Sequence, residues 1–298
     1  MMRARGGTTL VELIVALPIG ALIGTIAVAM LLDTHKLSRR LSSSTQISRE
    51  LRQAAAVLAS EIRPLAANDV VAWTDTSIEV NALVGSGIVC ATSGTSSVDM
   101  LPLHGTDPLR TSWFAIPQGG DQVFLQGADS SIAPQDAGWF VSSLHSATTS
   151  ATSGCTTGPH MAHSTATGNP VRLTMNSSLA VTPATGSLVR IARRARYSLY
   201  RASDGLWYLG RKSFGGAAWT TIQPVAGPFD RPQLDGLLLQ VRDSANNVMI
   251  SAAAGTPRSV ALELRGTSAW KRSATVPGAQ DSVLMHVTLR GQMEAIVR

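Results

Sequence analysis

The sequence predicts an α+β protein: a long N-terminal helix, transmembrane in its first half and amphipathic in its second, packed on an antiparallel β-sheet head. Three observations carry this. Leu10 to Leu32 is almost wholly apolar, with Glu12 as its only charge. Leu37, Leu41, Ile47, Leu51, Ala54, Leu58, Ile62 and Leu65 then recur at a spacing of about 3.5–3.6 residues up to Pro64. From Asn68 onward the pattern changes to short runs rich in Val, Ile, Leu and aromatics, separated by Gly, Asp, Ser and Thr. The corresponding boundaries are a leader at 1–7, a transmembrane helix at 8–32, its amphipathic continuation at 33–65 and a β-rich head at 66–298.

The leader is short and basic, Met1-Met2-Arg3-Ala4-Arg5, and ends in Gly6-Gly7. The apolar run behind it is about 23 residues, roughly 34 Å as a helix, which crosses a bilayer core. A secretory signal has an apolar core of only about 7–15 residues followed by a small-residue site, so this run is too long to be one. Two small residues between a basic leader and a helix expose the backbone to a protease. Cleavage after Gly7 makes Thr8 the new N-terminus and Glu12 the fifth mature residue. A lone carboxylate in a membrane helix is costly, so Glu12 either snorkels to the interface or has a partner. Pro18, followed by Gly20 and Gly24, favours a bend in the helix.

Between Asp33 and Arg63 the charged side chains Arg39, Arg40, Arg49, Glu50, Arg52 and Glu61 occupy much of the rest of the helix. Because the stripe is short and stops at Pro64, it is expected to pack on the protein's own sheet. In the head, Val70–Trp73 and Ser77–Val84 around Thr74-Asp75-Thr76 read as a hairpin. Trp113–Ile116 and Gln122–Leu125 around Pro117-Gln118-Gly119-Gly120-Asp121 read as a second, and Trp139–Leu144 as a strand. His145 to Asn169, rich in Ser, Thr, Gly and Ala, reads as a long loop. Ser187–Arg201 and Leu206–Leu209 flank a Ser203-Asp204-Gly205 turn. Leu237–Arg242, Val260–Leu264 and Val283–Arg290 follow, the last with Val283, Met285, Val287 and Leu289 on one face.

The chain has 298 residues and 44% hydrophobic composition, enough for one large head or two small ones beyond the anchor. Lys plus Arg number 25 against 19 Asp plus Glu, a net charge of +6 that tolerates polyanions without requiring them. Cys90 and Cys155 are the only cysteines; an even pair beyond a membrane anchor suggests one disulfide in an oxidising compartment, the alternative being two unpaired buried thiols.

The leader and helix opening resemble the class III signal of type IV prepilins and pseudopilins. Gly7, Thr9, Leu10, Val11, Glu12 and Leu13 match its pattern, while Thr8 stands where Phe is usual. The run Tyr197–Arg201, the Asp-Gly turn, Leu206-Trp207-Tyr208, Gln223-Pro224-Val225 and Pro257-Arg258-Ser259-Val260 look like the larger minor pilins, the PilW-like group, or the J-type minor pseudopilins of type II secretion. The resemblance implies cutting between Gly7 and Thr8 by a prepilin peptidase, N-methylation of Thr8, and an assembly role in which Glu12 pairs with the N-terminal amine of a neighbouring subunit. It implies inner-membrane anchoring with a periplasmic head, then assembly with other major and minor pilins into a pilus or pseudopilus tip.

Other chemistries are weakly signalled. Ser268-Ala269-Trp270-Lys271 spells a serine-nucleophile pattern without its companion motifs. Cys155, His160 and His163 fall short of a metal ligand set. No enzyme activity, cofactor or metal is therefore expected. Arg190, Arg193, Arg194, Arg196 and Arg201 lie on one strand with Tyr197 and Tyr200 among them. Alternation puts Arg190, Arg194 and Arg196 on one side and Arg193 and Arg201 on the other. The first set could grip single-stranded nucleic acid by charge and stacking, which would make the chain a DNA- or substrate-binding surface pilin; an exposed sheet face or a subunit contact explains it equally.

Overall fold

A computed structural model describes residues 10–101, 111–127, 138–149, 155, 170–180, 182–251, 255–267 and 280–290. It shows one long helix, α1 (Leu10–Ile62), and then an almost entirely antiparallel β protein. The strands are β1 (Val70–Trp73), β2 (Ser77–Ser93), β3 (Ser97–Met100), β4 (Ser112–Trp113), β5 (Gln122–Gln126), β6 (Trp139–Thr149) and β7 (Val171–Met175). They continue with β8 (Leu188–Arg201), β9 (Trp207–Ser213), β10 (Gln223–Phe229), β11 (Leu237–Arg242), β12 (Val248–Met249), β13 (Ser259–Thr267) and β14 (Gln280–Thr288). The chain divides into two compact units, Met1–Arg49 with Thr267–Asp281, and Glu50–Gly266 with Ser282–Arg298.

In the first unit α1 passes through Pro18 without losing helical assignment. Its apolar side chains from Leu10 to Leu32 are exposed, and so are Leu37 and Leu41 of the expected stripe. Burial of that stripe begins at Ile47. The Ser48 hydroxyl hydrogen-bonds the Asp281 carboxylate within this unit.

In the second unit the last turns of α1 bury Leu51, Ala54, Leu58 and Ile62 completely. The helix stops at Ile62 because Pro64 disfavours helical geometry at Arg63. A 3-10 turn, Ala67–Asp69, follows: Asp69 folds back to accept the Ala66 amide at 2.7 Å.

Ten strands form a continuous antiparallel sheet in the order β1-β2-β3-β7-β6-β5-β8-β9-β10, with β4 on β2. β2 also pairs with β8, from Ser77 opposite Ser198 to Ile88 opposite Leu188. That pairing closes β2, β3, β7, β6, β5 and β8 into a six-stranded barrel. Each strand sends apolar side chains inward, among them Val89, Met100, Leu173, Leu144, Leu125 and Ile191, all buried. Beyond the barrel mouth β2 and β8 continue as the centre of an open sheet with β1, β9 and β10. One face of it, carrying Ile78, Val80, Ala195 and Tyr197, is buried. The Tyr197 hydroxyl meets Glu61, which sets the end of α1 on that face.

The remaining strands form a second sheet in the order β12-β11-β13-β14. Leu237, Leu239 and Val241 stand opposite Leu264, Leu262 and Val260, and all six are buried. In β14 the expected alternation holds: Val287 is buried while Leu284 and His286 are exposed.

Two sequence-based expectations are corrected. Trp113–Ile116 and Gln122–Leu125 do not form a hairpin. Trp113 pairs with Gly85 of β2, whereas β5 pairs with β6 and β8, because closing the barrel recruits β5 across the chain. The expected loop from His145 starts later, since β6 runs on to Thr149 to pair with β7.

Candidate functional site

Glu12 lies in the first described turn of α1 and is exposed there. It is followed by exposed Leu13, Ile14 and Leu17, and this helix is long and apolar enough to cross a membrane. A Cβ added at Gly20 or Gly24 would meet no atom within 4 Å. Gly7 and Thr8, the expected processing residues, lie outside the described residues.

Cys90 in β2 and Cys155 are joined by a disulfide, with their Cα atoms 5.0 Å apart. Together with Leu101 they make a small buried cluster apart from the barrel core. The bridge consumes the Cys155 thiolate as a metal ligand. His160, His163 and the Ser268–Lys271 motif lie outside the described residues. Among the described residues no three His, Cys, Asp or Glu side chains gather as metal ligands would.

The arginines of β8 each meet an acceptor, and the two sides differ as the alternation requires. Glu79 of β2, only 3% exposed, stands opposite Arg196. Its carboxylate accepts from Arg196 Nη2 at 2.6 Å and Nε at 3.0 Å, and also from Arg194 Nε. The Arg196 guanidinium lies 5.1 Å from the centre of the Trp219 ring. Arg190 pairs through Nη1 with Asp69 at 2.7 Å and sits over the Phe124 ring. Burial pushes the Asp69 carboxyl above its ordinary value, opposed by the Arg190 charge and the Ala66 amide. On the other side, Arg193 holds Asp121 by a two-point ion pair, and Arg201 Nε donates to the Gly205 carbonyl at 3.0 Å. Tyr197 is buried between Glu61 and Arg211, and desolvation with the Glu61 charge pushes its phenol well above the usual range.

These carboxylates were invisible to sequence reasoning, because Asp69, Glu79 and Asp121 are scattered through the chain and no motif joins them to β8. A cleft of about 530 Å³ in the second unit was missed for the same reason. It is lined by Ser60, Glu61, Arg63 and Pro64 after the helix, Leu83 of β2, Phe114 after β4 and Arg290 after β14. The one sequence signal for it was the aromatic-apolar run Trp113-Phe114-Ala115-Ile116 ahead of a Pro-Gln-Gly-Gly turn.

No family model, no curated protein and no solved structure matches this chain.

Proposed function

We propose that this chain is a minor type IV pilin or pseudopilin: a prepilin cut between Gly7 and Thr8, N-methylated on Thr8, and assembled with other pilins into the tip or initiation complex of a pilus or pseudopilus. Before assembly it is a single-pass protein of the inner membrane with its head in the periplasm. The observation that supports this best is α1 itself. One unbroken helix begins as an exposed apolar rod bearing a single early carboxylate and ends buried in a β-rich head. A helix that only anchored the head would have no use for Glu12, whose insertion into hydrocarbon is unfavourable. Pairing with the N-terminal amine of a neighbouring subunit gives that carboxylate a partner, and in apolar surroundings such a pair selects one register over others.

The test replaces Glu12. Glu12→Ala removes a charge from the span, so insertion should be at least as efficient as before. The neighbour's amine would lose its partner, and an uncompensated charge in an apolar bundle costs several kcal/mol. Membrane fractionation of Glu12→Ala should be normal, head folding unchanged, and crosslinking to partner pilins strongly reduced. Glu12→Asp, with the charge kept and the reach shortened, should fall between. Normal crosslinking and normal machine function in Glu12→Ala would return Glu12 to a snorkelling side chain with no assembly role.

A further inference from the structure

The arginines of β8 are internally matched, whereas several arginines elsewhere have no carboxylate partner among the described residues, and two of these share one site. Arg63 and Arg290 are exposed, line the cleft described above, and have no carboxylate partner among the described residues. Glu61, also in the lining, is engaged by the Tyr197 hydroxyl. The apolar part of the cleft lining is made by Pro64, Leu83 and Phe114.

Phe114 is 70% exposed and Ile116, two residues on, is 81% exposed. Large apolar side chains this open are expected on a loop that yields, yet this loop is fastened at both ends. The Phe114 amide donates to the Val84 carbonyl at 2.8 Å, and the Ala115 amide to the same oxygen at 3.2 Å. Arg193 Nη2 holds the Ile116 carbonyl at 2.8 Å while its guanidinium grips Asp121, and Asp121 in turn accepts the Gln118 amide at 2.8 Å. The main chain that carries the two side chains is therefore held in place, so little backbone ordering entropy is lost when something covers them. An exposed aromatic on a fastened main chain, lining a cleft together with apolar side chains and two arginines, has the composition of a protein-binding surface, in which aromatic and Arg side chains are enriched.

We infer that the cleft and the Phe114–Ile116 ridge form a docking site for a segment of another protein chain that carries an acidic residue next to a large apolar one. The apolar side chain would fill the depression against Leu83 and Phe114. The carboxylate would be taken by Arg63 and Arg290, whose guanidinium geometry suits two-point hydrogen bonding to it. A second copy of this chain is the poorer occupant: its net charge of +6 repels itself and matches an acidic partner. This inference is independent of processing at Gly7 and of Glu12, so it can fail or hold apart from the assembly role.

The experiment uses the full chain in lipid nanodiscs and a synthetic set of fluorescent octapeptides, acetylated and amidated. Each places Asp or Glu beside, or one residue from, Phe or Leu, and each has an Asn or Gln twin. Fluorescence polarisation at low salt should show binding by acidic members and at least about tenfold weaker binding by their neutral twins. The double variant Arg63→Gln/Arg290→Gln should lose about tenfold in affinity and most of the salt dependence. Phe114→Ser should weaken binding to a similar degree, and Arg231→Gln, an exposed arginine outside the cleft, should leave it unchanged. Unaltered circular dichroism and thermal unfolding would show that these surface variants still fold. Absence of binding up to about 1 mM across the set, equal binding by neutral twins, or binding that survives the double variant would overturn the inference. Self-association abolished by the same substitutions would overturn it in favour of a second copy as the occupant.

Discussion

Arg193 of β8 donates to Asp121 from two nitrogens, Nε to Oδ1 at 2.7 Å and Nη2 to Oδ2 at 2.8 Å. The Asp121 side chain is 1% exposed and the Arg193 side chain 13%. The pair ties the turn before β5 to the strand that closes the barrel. Removing one partner leaves a buried charge uncompensated, so Arg193→Ala or Asp121→Ala should lower stability by about 3–5 kcal/mol. Arg193→Lys keeps the charge but loses the two-point geometry and should cost less. Denaturant unfolding of the full chain in detergent measures this. Losses below about 1 kcal/mol for both alanine variants would mean the pair behaves as an exposed one.

Glu79 serves two arginines, so its removal should weigh more than the removal of either. Glu79→Ala leaves Arg194 and Arg196 side by side without an anion on the sheet. Arg194→Ala or Arg196→Ala leaves Glu79 with one remaining partner, and both arginines are more than two-fifths exposed at the side chain. The expected order of destabilisation is Glu79→Ala, then Arg196→Ala, which also loses the Trp219 contact, then Arg194→Ala. A set of unfolding curves that places either arginine variant below Glu79→Ala in stability would contradict this.

The Asp69 carboxyl, raised by burial despite Arg190, gives a pH dependence with a definite sign. A folded-state value above the unfolded one means the contribution is fully present below the unfolded value. It is lost as pH rises through the folded value. The stability of the natural chain minus that of Asp69→Asn should therefore shrink as pH rises through the carboxylate range. Unfolding measured across that range at constant ionic strength decides the matter, and a difference that grows with pH would reverse the sign.

The Cys90–Cys155 bridge closes a separation of 65 residues, and its loss should cost about 2–4 kcal/mol, chiefly by freeing the unfolded chain. Thiol labelling of the denatured, unreduced protein should find none, and after reduction two per chain. Two labelled thiols before reduction would reject the bridge.

Gly120 has φ of +91°, and a Cβ there would overlap Gly216, which itself has φ of +85°. Two loops thus cross backbone to backbone. Gly120→Ala combines left-handed strain with a clash against main chain and should cost at least about 1–3 kcal/mol. Gly94, also at positive φ but with open space around it, is the control that isolates the strain. Equal losses at both sites would remove the clash from the explanation.

What could be read from the sequence followed from local rules. Pro64 ended the helix where the structure ends it, within two residues. The Asp204-Gly205 turn between β8 and β9 was legible because Asp204 accepts the Leu206 amide and Gly205 takes φ of +81°. The disulfide followed from an even cysteine pair. The barrel was not legible, because β2 runs through Gly85-Ser86-Gly87, which resembles a loop. Those glycines sit in the strand for packing: a Cβ at Gly85 would press on Trp113, and one at Gly87 on Met100 and Thr111. The register shift between Leu83 and Gly85 adds curvature of the kind a closing sheet needs. The carboxylate partners of β8 and the cleft depend on that closure, which joins positions far apart in the chain.

The most direct test of the minor pilin role is the N-terminus of the mature protein. The full chain should be co-expressed with a prepilin peptidase, recovered from membranes and measured by intact mass and N-terminal peptide sequencing. The expected result is a chain shortened by its leader that begins at Thr8, with a methyl group on that amine where the peptidase also methylates. A chain that keeps Met1 or Met2, beside a control pilin cut in the same cells, would contradict the assignment.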